Sequence, residues 1–137
     1  MKICICCSLS FTDEVKKIAD RLHELRHEVL LPNGVIIDAI HKPDFEPVEA
    51  KRGNGYDFVR EHFKKIEESD AILVCNFTKN GIDNYVGANT FLEMGFAYYV
   101  KKPIYALNPL PDYKYINDEL LNFDVMVING DLSEIKE

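Results

Sequence analysis

Residues 69–111 read SDAILVCNFTKNGIDNYVGANTFLEMGFAYYVKKPIYALNPLP, a strand, a loop, a helix and a second strand in succession. Ala71, Ile72, Leu73, Val74 and Cys75 form an unbroken apolar run, the pattern of a strand covered on both faces. A polar loop follows, with turn signals at Asn80-Gly81 and Gly87. A helix is expected over 89–101, with Asn89 as its N-cap, and a strand over 103–107, stopped by Asn108-Pro109-Leu110-Pro111. Such a unit belongs to a parallel sheet with helices on its faces.

The rest of the chain extends this alternation. Residues 3–7 are a first strand and 28–31 a second, closed by Pro32-Asn33-Gly34. Between them Thr12 is a plausible N-cap, with Asp13 and Glu14 suited to the first helical turn. Val15, Ile18, Ala19, Leu22 and Leu25 then recur at helical spacing. Residues 38–56 are broken by Pro43, Pro47, Gly53 and Gly55 and read as a loop, with one short helix near 35–40. Val59, Phe63 and Ile66 line one face of a helix over 57–68, leaving His62 at the edge of that face. A short helix near 116–121, a fifth strand over 125–128 and a last turn after Asn129-Gly130-Asp131 complete the chain. These elements predict one α/β domain over 1–137, a doubly wound five-stranded parallel sheet ordered 2-1-3-4-5. In such sheets ligands lie beyond the carboxyl ends of the strands where the winding reverses, so the loops after Cys7 and Cys75 should lie side by side at the site.

The 137 residues, 47% hydrophobic and 28% charged, suit a single globular unit. The net charge of −7 disfavours a nucleic-acid partner. No apolar run approaches the roughly 18 residues a membrane span needs, and the apolar start is too brief for a signal peptide, so a cytoplasmic location is expected. Cys4 and Cys6 share one face of the first strand and Cys7 the other. Together with Cys75 they read as buried thiols in a reducing compartment. The chain holds no loop-borne C-x₂-C pair, so no metal site and no cofactor are expected.

Glu93 is the sharpest anomaly. It is the single charged residue in 86–100, VGANTFLEMGFAYYV. A helix this apolar on every side is expected to be buried, and a carboxylate there costs several kcal/mol unless it is paired, protonated or facing a cavity. With Asn89 as N-cap, Glu93 falls at the end of the first turn, where the helix N-terminus favours its anion. It is a candidate nucleophile or general base. His62 is the second candidate, its ordinary pKa near 6.5 suiting proton transfer. His23, His27 and His41 are read as surface residues, and Asp70 as structural. Ser8, Ser10 and Thr12 could hold a phosphate or sugar, although Phe11 stands where a flavodoxin phosphate loop wants glycine.

The stretch 70–111 resembles the nucleoside 2-deoxyribosyltransferase superfamily. It is most similar to a branch with the motif N-Y-[IV]-G-x-N-T-x-x-E-M, here Asn84-Tyr85-Val86-Gly87-Ala88-Asn89-Thr90-Phe91-Leu92-Glu93-Met94. Gly53-Asn54-Gly55-Tyr56-Asp57, Arg60-Glu61-His62 and Ile128-Asn129-Gly130-Asp131-Leu132 resemble that branch too. The resemblance implies a flavodoxin-like fold and a site for a nucleoside or nucleotide. It also implies a glutamate nucleophile at the anomeric carbon, here Glu93 in Glu93-Met94-Gly95-Phe96-Ala97. Candidate substrate-binding residues are then Cys7, Ser8 and Ser10 after the first strand, and Asn76, Asn84, Gly87, Asn89 and Thr90 after the third. Family members often borrow a residue from a neighbouring subunit, which implies a homo-oligomer and makes Asn117 a candidate. One departure stands out: the aspartate that family members carry eight residues before the strand-start aspartate, here Asp70, is His62.

Three functions compete: an N-glycosidic bond transferase or hydrolase, a nucleotide sensor of the same fold that cleaves nothing, and a flavodoxin-type carrier of FMN.

Overall fold

The computed structural model describes residues 1–33, 35 and 57–137. Apart from Val35, the short helix expected near 35–40, the loop up to residue 56, His41 and the motif residues 53–56 lie outside the described residues. Among the described residues the elements are β1 (Lys2–Cys7), α1 (Thr12–Glu24), β2 (Glu28–Leu30), α2 (Phe58–Glu68), β3 (Ala71–Cys75), α3 (Ala88–Tyr99), β4 (Ile104–Ala106), α4 (Asn117–Asn122) and β5 (Met126–Val127). The sheet is parallel throughout, ordered β2-β1-β3-β4-β5, as the alternation predicts.

β1 and β3 are the central strands because their side chains are apolar on both faces. Every residue of β3, and every residue of β1 after Lys2, is buried. The pleat divides them into two cores. Ile3, Ile5, Cys7, Leu73 and Cys75 pack with Val15, Ala19 and Leu22 of α1. Cys4, Cys6, Ile72 and Val74 pack on the opposite face with Ile66 of α2 and Met94 and Ala97 of α3. The three N-terminal cysteines therefore divide between the faces as strand periodicity requires. β5 is a short edge strand, with both its residues exposed.

Two helices stop without glycine. Arg26 (φ 68°) and Lys101 (φ 61°) adopt the left-handed conformation just past the ends of α1 and α3. The following amides reach back, His27 N–H to Leu22 O at 3.0 Å and Lys102 N–H to Ala97 O at 2.9 Å. Thr12 is the first residue of α1 rather than its cap; its hydroxyl donates to Leu9 O at 3.2 Å, closing the 3₁₀ turn Leu9–Phe11 that Ser8 caps. Asp70 is structural, accepting from Lys2 N–H at 2.7 Å. No described helix is long and apolar enough to cross a membrane.

The register pairs Cys7 with Cys75, so the loops after β1 and β3 leave the sheet side by side. Phe11 and Phe77 touch with ring centroids 5.1 Å apart, and Lys79 Nζ donates to Ser8 Oγ at 2.9 Å. The winding reverses between these strands, but the cleft is lined from the carboxyl ends of β1 and β2 and from α2 and α3, with no described residue of the loop after β3.

Candidate active site

Glu93 lies on α3, but its position along the helix differs from the expected one. Gly87, not Asn89, is the N-cap (φ −80°, ψ 175°), and the helix begins at Ala88. The extended Gly87 suits a cap without any side-chain bond, and a Cβ there would come within 3.2 Å of the Tyr85 ring. Glu93 is thus in the second turn, past the reach of the helix's free amides. Nor is α3 buried on all sides: Thr90, Met94 and Ala97 face the sheet, whereas Leu92, Tyr98 and Tyr99 are exposed. Glu93 sits at the margin between these faces.

His62 also departs from expectation. It is buried at 4% exposure, while Val59 is 45% exposed. The face of α2 that meets the sheet is centred on His62 and Ile66, one helical turn apart, rather than on Val59, Phe63 and Ile66. Phe63 instead stacks on Phe96 of α3, centroids 4.3 Å apart and planes 9° from parallel. That stacking turns the imidazole inward. His62 Nε2 stands 3.4 Å from Glu93 Oε2 and 3.5 Å from both Cys4 Sγ and Cys6 Sγ.

Burial pushes the Glu93 carboxyl up to about 7; the neighbouring His62 opposes this and Cys4 adds to it. For His62, burial lowers the pKa, but the hydrogen bond with Cys4 and the charge of Glu93 outweigh it and leave the imidazole raised. Cys4 is drawn down to about 6, mainly by its bond with Cys6, against desolvation and helped by His62. These shifts bring the Glu93 carboxyl and the Cys4 thiol close to neutral pH beside the His62 imidazole, an arrangement suited to acid–base work.

The cleft above the pair is narrow, with a volume of about 60 Å³. Cys7 at the end of β1 and Leu9 beyond it, Pro32 and Asn33 after β2, Val59, Glu61 and His62 of α2, and Asn89, Leu92 and Glu93 of α3 all face it. Four of the expected site residues, Cys7, His62, Asn89 and Glu93, therefore converge. The others lie elsewhere. Ser8 and Ser10 stand in the neighbouring 3₁₀ turn, where Ser8 Oγ accepts from Ser10 N–H at 3.4 Å. Asn84 (φ 56°) holds a turn, its N–H donating to Thr78 Oγ1 at 3.2 Å. Thr90 is buried on the sheet-facing side of α3. Asn117 accepts from Tyr113 N–H at 2.7 Å and donates to Asp112 at 2.8 Å, beside a separate hollow with Leu110 and Leu121.

Asn76 is fully buried and ties β3 to β4. Its Nδ2 donates to Asn108 O (2.9 Å) and Pro109 O (3.0 Å), and its Oδ1 accepts from Asn108 N–H (3.0 Å). Asn76→Ala strands three backbone groups and should cost about 2–3 kcal/mol, read as a lowered urea midpoint. A midpoint unchanged from the parent would show that water replaces the side chain at no cost.

Sequence reasoning missed Asn33 and Glu61. Asn33 donates to Glu61, and Lys65 donates to both Asn33 and Leu31 O (2.7 Å), a polar string at the mouth of the cleft. The signal for it was present: Pro32-Asn33 follows β2, whose carboxyl end points the same way as those of β1 and β3.

No protein-family model matches the sequence, and no curated protein is detectably similar to it. Among solved structures, the chain is similar to a 2-deoxyribosyltransferase from Bacillus psychrosaccharolyticus, with a TM-score of 0.52 and 17% identity, covering 86% of this chain and 81% of that one. It is similar also to the Clostridium botulinum CMP N-glycosidase BcmB, with a TM-score of 0.52 and 17% identity over 93% of this chain and 87% of that one. At this identity the likeness establishes the shared fold, a flavodoxin-like five-stranded sheet with flanking helices.

Proposed function

We propose that this chain cleaves or transfers the N-glycosidic bond of a nucleoside, deoxynucleoside or nucleoside 5′-monophosphate, with Glu93 as nucleophile and His62 as its proton partner. The supporting observation is a largely buried carboxyl, paired with an imidazole at 3.4 Å, facing a cleft at the carboxyl ends of β1 and β2. The sequence resemblance and the two fold neighbours lend further support.

In the proposed step a Glu93 carboxylate oxygen bonds to the anomeric carbon as the carbon–nitrogen bond breaks. The electron pair leaves with the base, and His62 supplies the proton the base requires. The product is a glycosyl ester on Glu93. Water or a second base then attacks the same carbon, the carboxylate leaves, and the proton of the attacking group returns to His62. Desolvation of Glu93 favours this, because a carboxylate stripped of water gains most from meeting developing positive charge on the sugar.

His62, in the place of the family's aspartate, favours a second reading, a sensor that binds a nucleotide and leaves it intact. A panel of ribo- and deoxynucleosides and their 5′-monophosphates, followed by chromatography for free base, separates the two. Base released from at least one member is the expected result. A nucleotide that raises the melting temperature yet stays whole across the panel would replace the enzyme with the sensor.

A further inference from the structure

We propose that Cys4, Cys6 and His62 form a binding site for a soft divalent cation, zinc above all, at the floor of the cleft beside Glu93. The proposal stands apart from the glycosidic reading, since it rests on the donor set alone. Strand alternation aims both sulfurs at the face covered by α2 and α3, and the inward turn of α2 brings His62 Nε2 to 3.5 Å from each. The three donor atoms lie within 4.8 Å of one another.

These distances suit a tetrahedral ion. With zinc–sulfur bonds of about 2.3 Å and a zinc–nitrogen bond of about 2.0–2.1 Å, tetrahedral edges are about 3.6 Å for S···N and 3.8 Å for S···S. Both observed S···N distances, 3.5 Å, lie close to that edge, and the two sulfurs lie within 4.8 Å of each other. Two thiolates and an imidazole are donors that zinc prefers over calcium or magnesium. A dication with two thiolates is neutral overall, which suits a place where all three ligands are buried. Three protein ligands leave one position for water, and Glu93 Oε2, 3.4 Å from His62 Nε2, stands beside it. Among the described residues His62 Nδ1 has no hydrogen-bond partner, so the ring lacks the outer support that tight sites use. An affinity below that of closed four-ligand sites follows.

Metal bound to His62 Nε2 takes that atom from Glu93, so zinc should also suppress any base release. Spacing along the chain could not reveal the site, because the third donor is 56 residues from Cys6.

The test uses the whole chain, reduced and stripped with chelator, titrated with Co²⁺ and then Zn²⁺ against a chromophoric chelator. One equivalent is expected to bind, with a thiolate-to-cobalt charge-transfer band and the strong visible bands of tetrahedral cobalt. Cys6→Ala and His62→Gln should each weaken Zn²⁺ binding at least ~30-fold. Cys75→Ala, a buried cysteine on the other face of the sheet, should leave binding unchanged. Circular dichroism confirms that each variant folds, and Zn²⁺ should raise the melting temperature of the parent and Cys75→Ala alone. No cobalt band at micromolar metal, or equal loss in Cys75→Ala, would overturn the proposal, whatever the glycosidic assay reports.

Discussion

Glu93→Gln should slow base release by at least ~1,000-fold while leaving the protein folded. Glutamine keeps the size of the side chain but cannot form the ester, and a thousandfold loss corresponds to about 4 kcal/mol of transition-state stabilisation. A residue that merely braced the cleft would change KM and stability together. A nucleophile's removal lowers kcat while the nucleotide still binds. Retained binding with lost turnover therefore separates chemistry from scaffolding. A variant within threefold of the parent in kcat would remove Glu93 from the reaction.

The second large effect is on stability against pH, measured in metal-free protein. Burial raises the Glu93 carboxyl from 4.5 to about 7, so the folded state binds this proton more tightly than the unfolded state does. Stability from this group is complete below pH 4.5 and is lost as pH rises to about 7, on the order of 2–3 kcal/mol. His62, raised above 6.5, acts in the same sense: its contribution is present below that value and fades as pH rises through the folded pKa. Cys4, lowered from 9.0 to about 6, acts oppositely, gaining stability as pH rises from 6 to 9. Cys6 and Lys65 face the same group, Cys6 with its pKa held well above 9.0 and Lys65 lowered by burial. The parent's profile sums all of these, so the difference between Glu93→Gln and parent reports the carboxyl together with its coupling to His62 and Cys6. That difference should shift in the variant's favour by about 2–3 kcal/mol between pH 4.5 and pH 8, read from urea midpoints. A difference flat in pH would mean that the acid is solvated.

The sheet order was legible because strands and helices alternate along the chain, and the apolar run of β3 marks a strand covered on both faces. Glu93 was legible for a related reason, a lone charge in an apolar helix. What failed was rotational detail. Asn89 is the better capping residue by type, yet the backbone turns at Gly87, and two residues of slippage move Glu93 from the first helical turn to the second. His62 counted as polar beside Val59, Phe63 and Ile66, so sequence placed it at the rim. The stacking of Phe63 on Phe96 decided otherwise, and no local pattern encodes a contact with a helix 33 residues further on. The meeting of Cys4, Cys6 and His62 is likewise tertiary. Positive φ at Arg26 and Lys101, where glycine would be the usual helix stop, left the ends of α1 and α3 unmarked.

Glu93 bonded to a sugar carbon is the central claim, and mass spectrometry of the intact protein tests it most directly. The protein is incubated with a 2′-fluoro analogue of whichever substrate releases base, because the fluorine slows breakdown of the ester, and is then quenched in acid. A mass gain equal to one glycosyl group, mapped to the peptide carrying Glu93 and absent in Glu93→Gln, is the predicted result. Base release from the analogue with no adduct, or with an adduct on another residue, would contradict it.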